Sequence, residues 1–498
     1  MPSRQVSSLA DLVTEVEARS PGLIANAAEL VETAGDVSIS SITQDSRKVE
    51  AGGLFCAIRG SVVDGHDYVD AAAEAGATAV LVEIPNGGEG LSIDSTVVQI
   101  ESQDSSKATG YLAAALFGQP SDDVALVAVT GTNGKTSVVT ILAHLVNTCG
   151  GVAASMGTLT GSLTTAAAPD FHAALAEHRD DGATVVAAEV SSHALDQQRI
   201  AGAEVAVAVF TNLSQDHLDY HTDMDDYFRA KALLFTPEVG AHNVIDVSNE
   251  YGARLADMVR EQDLQREQDL QEVDGDGTAQ AGTLQQGSST FQWRDRTIEL
   301  PLGGAFSVNN SLMAAEAAVL LGFAVEDVAA ALHTVPSVPG RFESIEAGQP
   351  FSVVVDYSHT PASVAAAVES ARQLSDGSVI LVFGAAGDRD PGKRPLMGGA
   401  AAAADRLYVT SDNPRTEDPA TIIGDVVAGI PTHDDVHVFV DRSEAISAAI
   451  SGASPGDIVV IAGKGHEDYQ IVGTTRTHFD DREEARSALA LAGWVTAK

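Results

Sequence analysis

Cysteine is almost missing. Cys56 and Cys149 are the only two in 498 residues, which excludes a disulfide framework and points to a reducing compartment. Basic residues are scarce as well: 29 Lys and Arg stand against 70 Asp and Glu, a formal net charge of −41. Such a chain offers no basic footprint to nucleic acid and no attraction to an anionic membrane surface. A phosphorylated substrate would have to be held by a locally positive site against an unfavourable overall field. No apolar run reaches the roughly eighteen residues of a membrane span. The opening "MPSRQVSSLADLVTEVEARS" has no apolar signal-peptide core and reads as an amphipathic helix. A cytoplasmic protein is expected. What the chain does have is 44% hydrophobic residues, enough for large cores, and a length that calls for several domains.

Residues 1–120 carry short strand-like runs such as "GGLFCAIRG" and "ATAVLVEI" with an Ala-rich helix between them. From "DDVALVAVTG" onward, apolar strands alternate with helices, the pattern of βαβ units and a mostly parallel sheet. Residues 261–290 begin with the Gln/Asp repeat "EQDLQREQDLQ" and read as a surface insertion without chemistry. The Pro-punctuated "HTVPSVPGRFE", residues 333–343, is the best interdomain linker. After it, "FSVVVDY", "SVILVFG", "RLYVT", "DVHVFV" and "GDIVVIA" alternate with helices as a second doubly wound unit. An α/β protein of three domains is expected, at residues 1–120, 121–338 and 339–498. In such sheets ligands bind beyond the carboxyl ends of strands, where "GAAGDRDPGKRP", "TSDNPRTEDP" and "AGKGHEDYQ" fall.

"VAVTGTNGKTSVVTILAHL" reads as strand, Gly-rich loop and helix. Backbone N–H groups from Gly131 through Thr132, Asn133 and Gly134 to Lys135 can cradle phosphates at the positive end of the helix, with Ser137 in its first turn. Lys135 would reach the β- and γ-phosphates and Thr136 would hold Mg²⁺. Full Walker spacing would need glycine where Val129 stands, so the loop is a shortened G-x-x-G-K-T. Glu189 ends the run "ATVVAAEV", and His217 follows "AEVAVAVF" in "TNLSQDHLDYH". A histidine beside aspartate is usually a surface or capping residue. Set at the ends of neighbouring strands in a nucleotide-binding sheet, Glu189 and His217 become expected ligands of Mg²⁺ or Mn²⁺ rather than structural zinc.

These residues resemble the Mur ligases of peptidoglycan synthesis, and within them the class that adds an amino acid to UDP-N-acetylmuramoyl-L-alanyl-D-glutamate. The resemblance rests on "DSR" (45–47), "TGTNGKTS", "TT" (164–165), "EVSSHALDQQR", "FTNLSQDHLDYH", "YFRAKALLF", "PGRFE", "DYSHTP", "GDRDPGKRPLM", "SDNPRTEDP" and "AGKGHEDYQ". It implies a first domain holding the uridine end, with Ser46 at the nucleotide and Ser61 to Val63 alongside. It implies a P-loop-type central ATPase domain and a Rossmann-like third domain for the amino acid. Thr164, Thr165, Ser191, Gln197 and Arg199 match positions that hold the muramoyl dipeptide. Lys231 matches a lysine carbamylated by CO₂, ligating or orienting a second Mg²⁺ with Glu189 and His217. Asn310 resembles an adenine contact with His359 near it, while Arg341 and Asp356 resemble residues that reach ATP on closure. Two departures stand out: Ala166 replaces the first proline after "TT", and Ser307 replaces an asparagine.

By resemblance the reaction is an acyl-phosphate ligation carried by Lys135, Glu189, His217 and Lys231, with no serine or cysteine nucleophile, and a monomer is expected. Meso-diaminopimelate differs from L-lysine by a carboxylate beside its distal amine. A site that selects it needs a fixed cation and an acid. Arg415 in "DNPR" supplies a bidentate fork, Glu467 in "AGKGHE" supplies the acid, and Arg389 is a second cation. Asp412, Asn413 and Pro414 would shape the loop, and Gly463 belongs to the same pocket by resemblance. Meso-diaminopimelate is expected as the third substrate, with L-lysine the alternative within the class. A folylpolyglutamate synthetase or a regulatory ATPase are the competing readings. Neither explains the "DNPR" loop together with Glu189, His217 and Lys231.

Overall fold

Residues 7–60, 63–84, 97–161, 163–239, 242–262, 270–274, 284–285 and 287–494 are described by a computed structural model. The proposed uridine-side residues Ser61 and Val62, and much of the Gln-rich segment, lie outside them.

Strands that are apolar throughout must be covered on both faces, and three parallel sheets satisfy this. The first orders Ser41–Thr43, Gly53–Cys56, Ala77–Glu83 and Val98–Ser102, all parallel. Helices Leu9–Arg19 and Ser105–Leu116 bury Leu12, Val16, Leu112 and Leu116 against one face of it. The N-terminal helix is the one its amphipathic pattern predicts, capped by Ser8.

The central sheet has six parallel strands in the order Leu270–Val273, His242–Asp246, Val207–Phe210, Ala125–Thr130, Val185–Glu189 and Ala153–Met156. Its first strand in sequence, Ala125–Thr130, lies between later strands that run to opposite sides. That arrangement opens a crevice at its carboxyl end. Two corrections follow. Part of the expected surface insertion, Leu270–Val273, is an edge strand of this sheet, and Ser288–Trp293 pairs antiparallel with Arg296–Leu300 in a small separate sheet. Local Gln/Asp composition hid both, because Val273, Phe291 and Trp293 find their apolar partners elsewhere in the chain. Glu189 and His217 also do not follow adjacent strands; their strands flank Ala125–Thr130 on either side.

The third sheet orders Glu343–Ser344, Ser352–Asp356, Ile458–Ala462, Val379–Phe383, Arg406–Val409 and Val436–Val438, parallel except for its first edge. Cores lie on both faces. Helix Pro361–Leu374 starts sharply, with Thr360 and Ser363 bonded reciprocally and Pro361 in the first turn. Among the described residues no helix is long and apolar enough to cross a membrane.

Candidate active site

The loop after Ala125–Thr130 depends on two glycines. Gly131 has φ +144°, and a side chain there would collide with the Thr211 hydroxyl; Gly134 has φ +88°, and its Cβ would lie 2.6 Å from Asn310 Oδ1. Both positions need glycine for conformation and for room. The loop is also tied from outside. Asn133 N donates to Asn212 Oδ1 at 3.0 Å, Thr211 Oγ1 donates to Asn133 O at 2.5 Å, and Ser214 N donates to Thr132 Oγ1 at 3.0 Å. Thr211, Asn212 and Ser214 had no site role in the sequence reading, although they stand at the exit of the strand Val207–Phe210, where such residues belong. Helix Lys135–Thr148 begins directly behind the loop. Lys135 Nζ folds back onto the carbonyls of Gly131 and Thr132 at 2.8 and 3.0 Å. Burial lowers its pKa, with Glu189 and Asp216 opposing.

Glu189 is 2% exposed and both its oxygens are engaged. Thr136 Oγ1 donates to Oε2 at 3.0 Å, Thr158 Oγ1 donates to Oε2 at 3.1 Å, and Thr158 N donates to Oε1 at 2.9 Å. The residues expected beside it form one network. Thr165 Oγ1 donates to Glu189 O at 2.8 Å and accepts from Ser191 N at 3.0 Å. Arg199 bonds to Thr165 O and Gln197 Oε1, and Thr158 Oγ1 lies 3.4 Å from Thr164 Oγ1. Ser191 caps the short helix Ser192–Asp196. Ser46 stands apart, in the 3₁₀ turn Ser46–Lys48 of the first domain, and does not line the central cleft.

Opposite Glu189, His217 sits at φ +55° with its Nε2 3.5 Å from Asp216. Desolvation within the cleft walls lowers its pKa while Asp216 opposes. Lys231 is 1% exposed. Its Nζ donates to Gly131 O at 3.0 Å and lies 4.7 Å from the centre of the Tyr227 ring. Burial, reinforced by Lys135, holds this amine well below the usual lysine range.

The third domain closes the cleft. Arg341 Nη2 donates to Thr136 Oγ1 at 2.9 Å and its guanidinium stacks 4.3 Å from the Tyr357 ring. His359 Nε2 lies 3.9 Å from Asp216 Oδ2. Asp356 accepts from Phe342 N and Ser358 N, tying linker to loop. The cleft holds about 440 Å³, lined by Thr132 to Ser137 and Asn310 on one side and by Arg341, Asp356 and His359 on the other.

Farther out on the same domain, two strand-exit loops meet. Asn413 Nδ2 donates to Glu467 Oε2 at 2.9 Å, and Asn413 Oδ1 accepts from Ile471 N at 2.9 Å. Arg415, at φ +52°, is clamped through its backbone by Ile471 and Gly473. Its Nη1 donates to Gly387 O at 2.7 Å. Among the described residues no carboxylate pairs with it. Pro414 is buried, Gly463 takes φ +122° against Asp412, and Arg389 is exposed. Lys464, 0% exposed between Asp412 and Glu467, was missed from the sequence, where it looked like one more loop lysine.

The chain matches three family descriptions in succession: "Mur ligase family, catalytic domain" over residues 38–116, "Mur ligase middle domain" over 129–318, and "Mur ligase, glutamate ligase domain" over 340–465. It is 43% identical to a protein of Synechococcus sp. strain WH7803 named UDP-N-acetylmuramoyl-L-alanyl-D-glutamate--2,6-diaminopimelate ligase, covering 91% of this chain and 95% of that one. A protein of the same name from Geobacillus kaustophilus is 40% identical, covering 93% and 97%. A solved structure described as that ligase superposes with a TM-score of 0.67 at 31% identity, covering 96% of this chain and 99% of the other. Matched by three successive family descriptions and 40–43% identical to such relatives over nine-tenths of both chains, the chain belongs to the Mur ligase family.

Proposed function

We propose that this chain is an ATP-dependent ligase that joins meso-diaminopimelate to the D-glutamate of UDP-N-acetylmuramoyl-L-alanyl-D-glutamate in the cytoplasm. The observation that carries the choice of third substrate is the meeting of the "DNPR" and "GKGHE" loops. Arg415, with no carboxylate partner among the described residues, stands on one loop, and Asn413 joins that loop to Glu467 on the other at 2.9 Å. A guanidinium fork suits the distal carboxylate of diaminopimelate, and Glu467 suits its distal ammonium. Asp412, Pro414 and Gly463 hold the loops, and Arg389 is available to the second carboxylate.

A carboxylate is a poor acyl donor, so the γ-phosphoryl group first passes to the D-glutamate side chain, and the incoming amine then displaces phosphate from the acyl phosphate. The protein contributes position and charge. The loop from Gly131 to Ser137 cradles the phosphates. Lys135, released from the loop carbonyls, offsets the charge gathering on the transferring group. Asn310 underlies the loop on the adenine side, while Arg341, Asp356 and His359 enclose the nucleotide from the third domain. Thr164, Thr165, Ser191, Gln197 and Arg199 hold the dipeptide, and Ser46 holds the uridine end.

The donor set fits a hard cation. Among the described residues no three His, Cys, Asp or Glu side chains converge on one point. The Thr136 hydroxyl, the Glu189 carboxylate and His217, which line the same cleft, would hold Mg²⁺, with phosphate oxygens completing its shell. Bound Mg²⁺ supplies charge neutralisation at the phosphoryl oxygens. Lys231 fits carbamylation: only a neutral amine captures CO₂, and burial keeps this one neutral more readily than an exposed lysine. The division at residues 1–120, 121–338 and 339–498 belongs to the same proposal, supported by one mostly parallel sheet in each part, and a monomer is proposed with it.

The test is ADP release with the UDP-linked dipeptide and either meso-diaminopimelate or L-lysine. Turnover that depends on diaminopimelate is expected. Preference for L-lysine would overturn the third-substrate assignment, and dependence on neither would overturn the ligase reading.

A further inference from the structure

The third-substrate pocket holds one cation that cannot touch a substrate. Lys464 is 0% exposed, yet its Nζ lies 3.3 Å from Glu467 Oε2, 3.4 Å from Asn413 Oδ1 and 3.7 Å from Asp412 Oδ1. Its ammonium also faces the Tyr469 ring, with 5.4 Å to the centroid. Asp412 Oδ1 has no hydrogen-bond partner; Lys464 pairs with it at 3.7 Å, and Arg442 faces the same acid from behind. Behind this group lies a second buried pair that is already neutral. Arg442 and Asp481, both 0% exposed, are bonded at 2.7 Å, and Arg442 Nη2 also donates to Ala462 O at 2.9 Å.

The formal charges in the pocket can therefore be counted. At the distal end, Asp412 and Glu467 are acids and Lys464 and Arg415 are bases, while Asp388 and Arg389 on the neighbouring loop add one charge of each sign. The pocket is balanced while it is empty. A side chain ending in one ammonium and one carboxylate keeps the balance when it enters. A side chain ending in an ammonium alone adds an unmatched positive charge and leaves Arg415 without an anion. In a partly desolvated pocket unmatched charge is costly. Removing the Lys464 charge reverses the preference, because the pocket then carries an excess negative charge that a lone ammonium satisfies.

Resting on the ligase reading above, we infer that Lys464 is a positioning and specificity-determining residue, which sets the charge of the third-substrate pocket so that a zwitterionic terminus is accepted over a cationic one. It acts through Glu467, Asn413 and Asp412 and contacts no substrate itself.

The test measures kcat and KM for meso-diaminopimelate and L-lysine in the wild type and in Lys464→Met, Lys464→Gln and Lys464→Arg, with KM for ATP alongside. The two neutral variants are expected to raise the diaminopimelate KM about thirty-fold or more, the lower end of the scale for truncating one partner of a buried charge pair. They should also lower the diaminopimelate-to-lysine ratio of kcat/KM by at least about ten-fold, while KM for ATP stays unchanged. Lys464→Arg keeps the cation and is expected to keep the ratio. An equal loss on both amino acids, or a ratio lost alike in the Arg and neutral variants, would show that Lys464 only fills space, and the inference would fall. A wild type that uses neither amino acid would remove the ligase reading itself. A wild type that prefers diaminopimelate while every variant keeps the ratio would remove this inference alone.

Discussion

The phosphate end and the amino-acid end of the site are built in different ways. At the phosphate end, backbone groups and hydroxyls come from the exits of adjacent strands, and the loop is fixed by two glycines and by Thr211, Asn212 and Ser214. At the amino-acid end, polar and charged side chains some fifty residues apart in sequence meet, as in the Asn413–Glu467 contact, separated by 54 residues. The first presents consecutive residues to its ligand, on supports 78 to 82 residues away in sequence, and suits any nucleoside triphosphate. The second brings charged and polar groups together from distant loops, and the proposed choice of third substrate rests on it.

The largest effect should come from breaking the second device at its root. Asp481→Asn leaves Arg442 buried beneath both loops without its anion, and should destabilise the chain by about 3–5 kcal/mol. Chemical denaturation checks this, and an unmoved midpoint would mean that the loops do not depend on the pair. Next is Lys135→Ala, which removes the mobile cation of the phosphate end. A fall in kcat of about 10²–10³ is expected, with the KM for the third substrate unmoved. A large change in that KM would show that the two ends are coupled rather than separate. Arg415→Ala should do the converse. The lost charged hydrogen bonds correspond to a rise in diaminopimelate KM of about ten- to a hundred-fold, with KM for ATP unchanged.

The contrast also explains what the sequence could show. The strand–loop–helix unit around Gly131 to Thr136 was legible because a phosphate cradle is made of consecutive residues. Glu189 and His217 are legible as strand-exit residues, but the strand lying between theirs is not, since sheet order depends on crossovers that sequence spacing does not encode. The strand Leu270–Val273 was lost in the Gln/Asp repeat because only its register against His242–Asp246 makes it a strand. Resemblance and charge logic point to Arg415 and Glu467, and the structure brings their loops together. Lys464 and Arg442 were not, because lysine and arginine usually stay in solvent and burial with a partner is a tertiary property.

The smallest expected effect tests the phosphate end at its most hidden support. Thr158 follows the strand Ala153–Met156 as Glu189 follows its own, and it binds both Glu189 oxygens, one through its N–H at 2.9 Å and one through its hydroxyl at 3.1 Å. Gly157 presses on the same carboxylate, leaving no room for a side chain there. Thr158→Val keeps shape and N–H but removes the hydroxyl, so the carboxylate gains freedom to turn about its last bond. One ordinary hydrogen bond is worth about 1 kcal/mol. The Mg²⁺ concentration for half-maximal activity should therefore rise about five-fold, and kcat at saturating Mg²⁺ should change little. Thr158→Ser restores the hydroxyl and should restore the Mg²⁺ requirement, whereas a purely steric role would leave serine as impaired as valine. If valine instead lowers kcat at every Mg²⁺ concentration without moving the midpoint, Thr158 orients the substrate and not Glu189. The phosphate end would then depend on side-chain placement as much as the amino-acid end does.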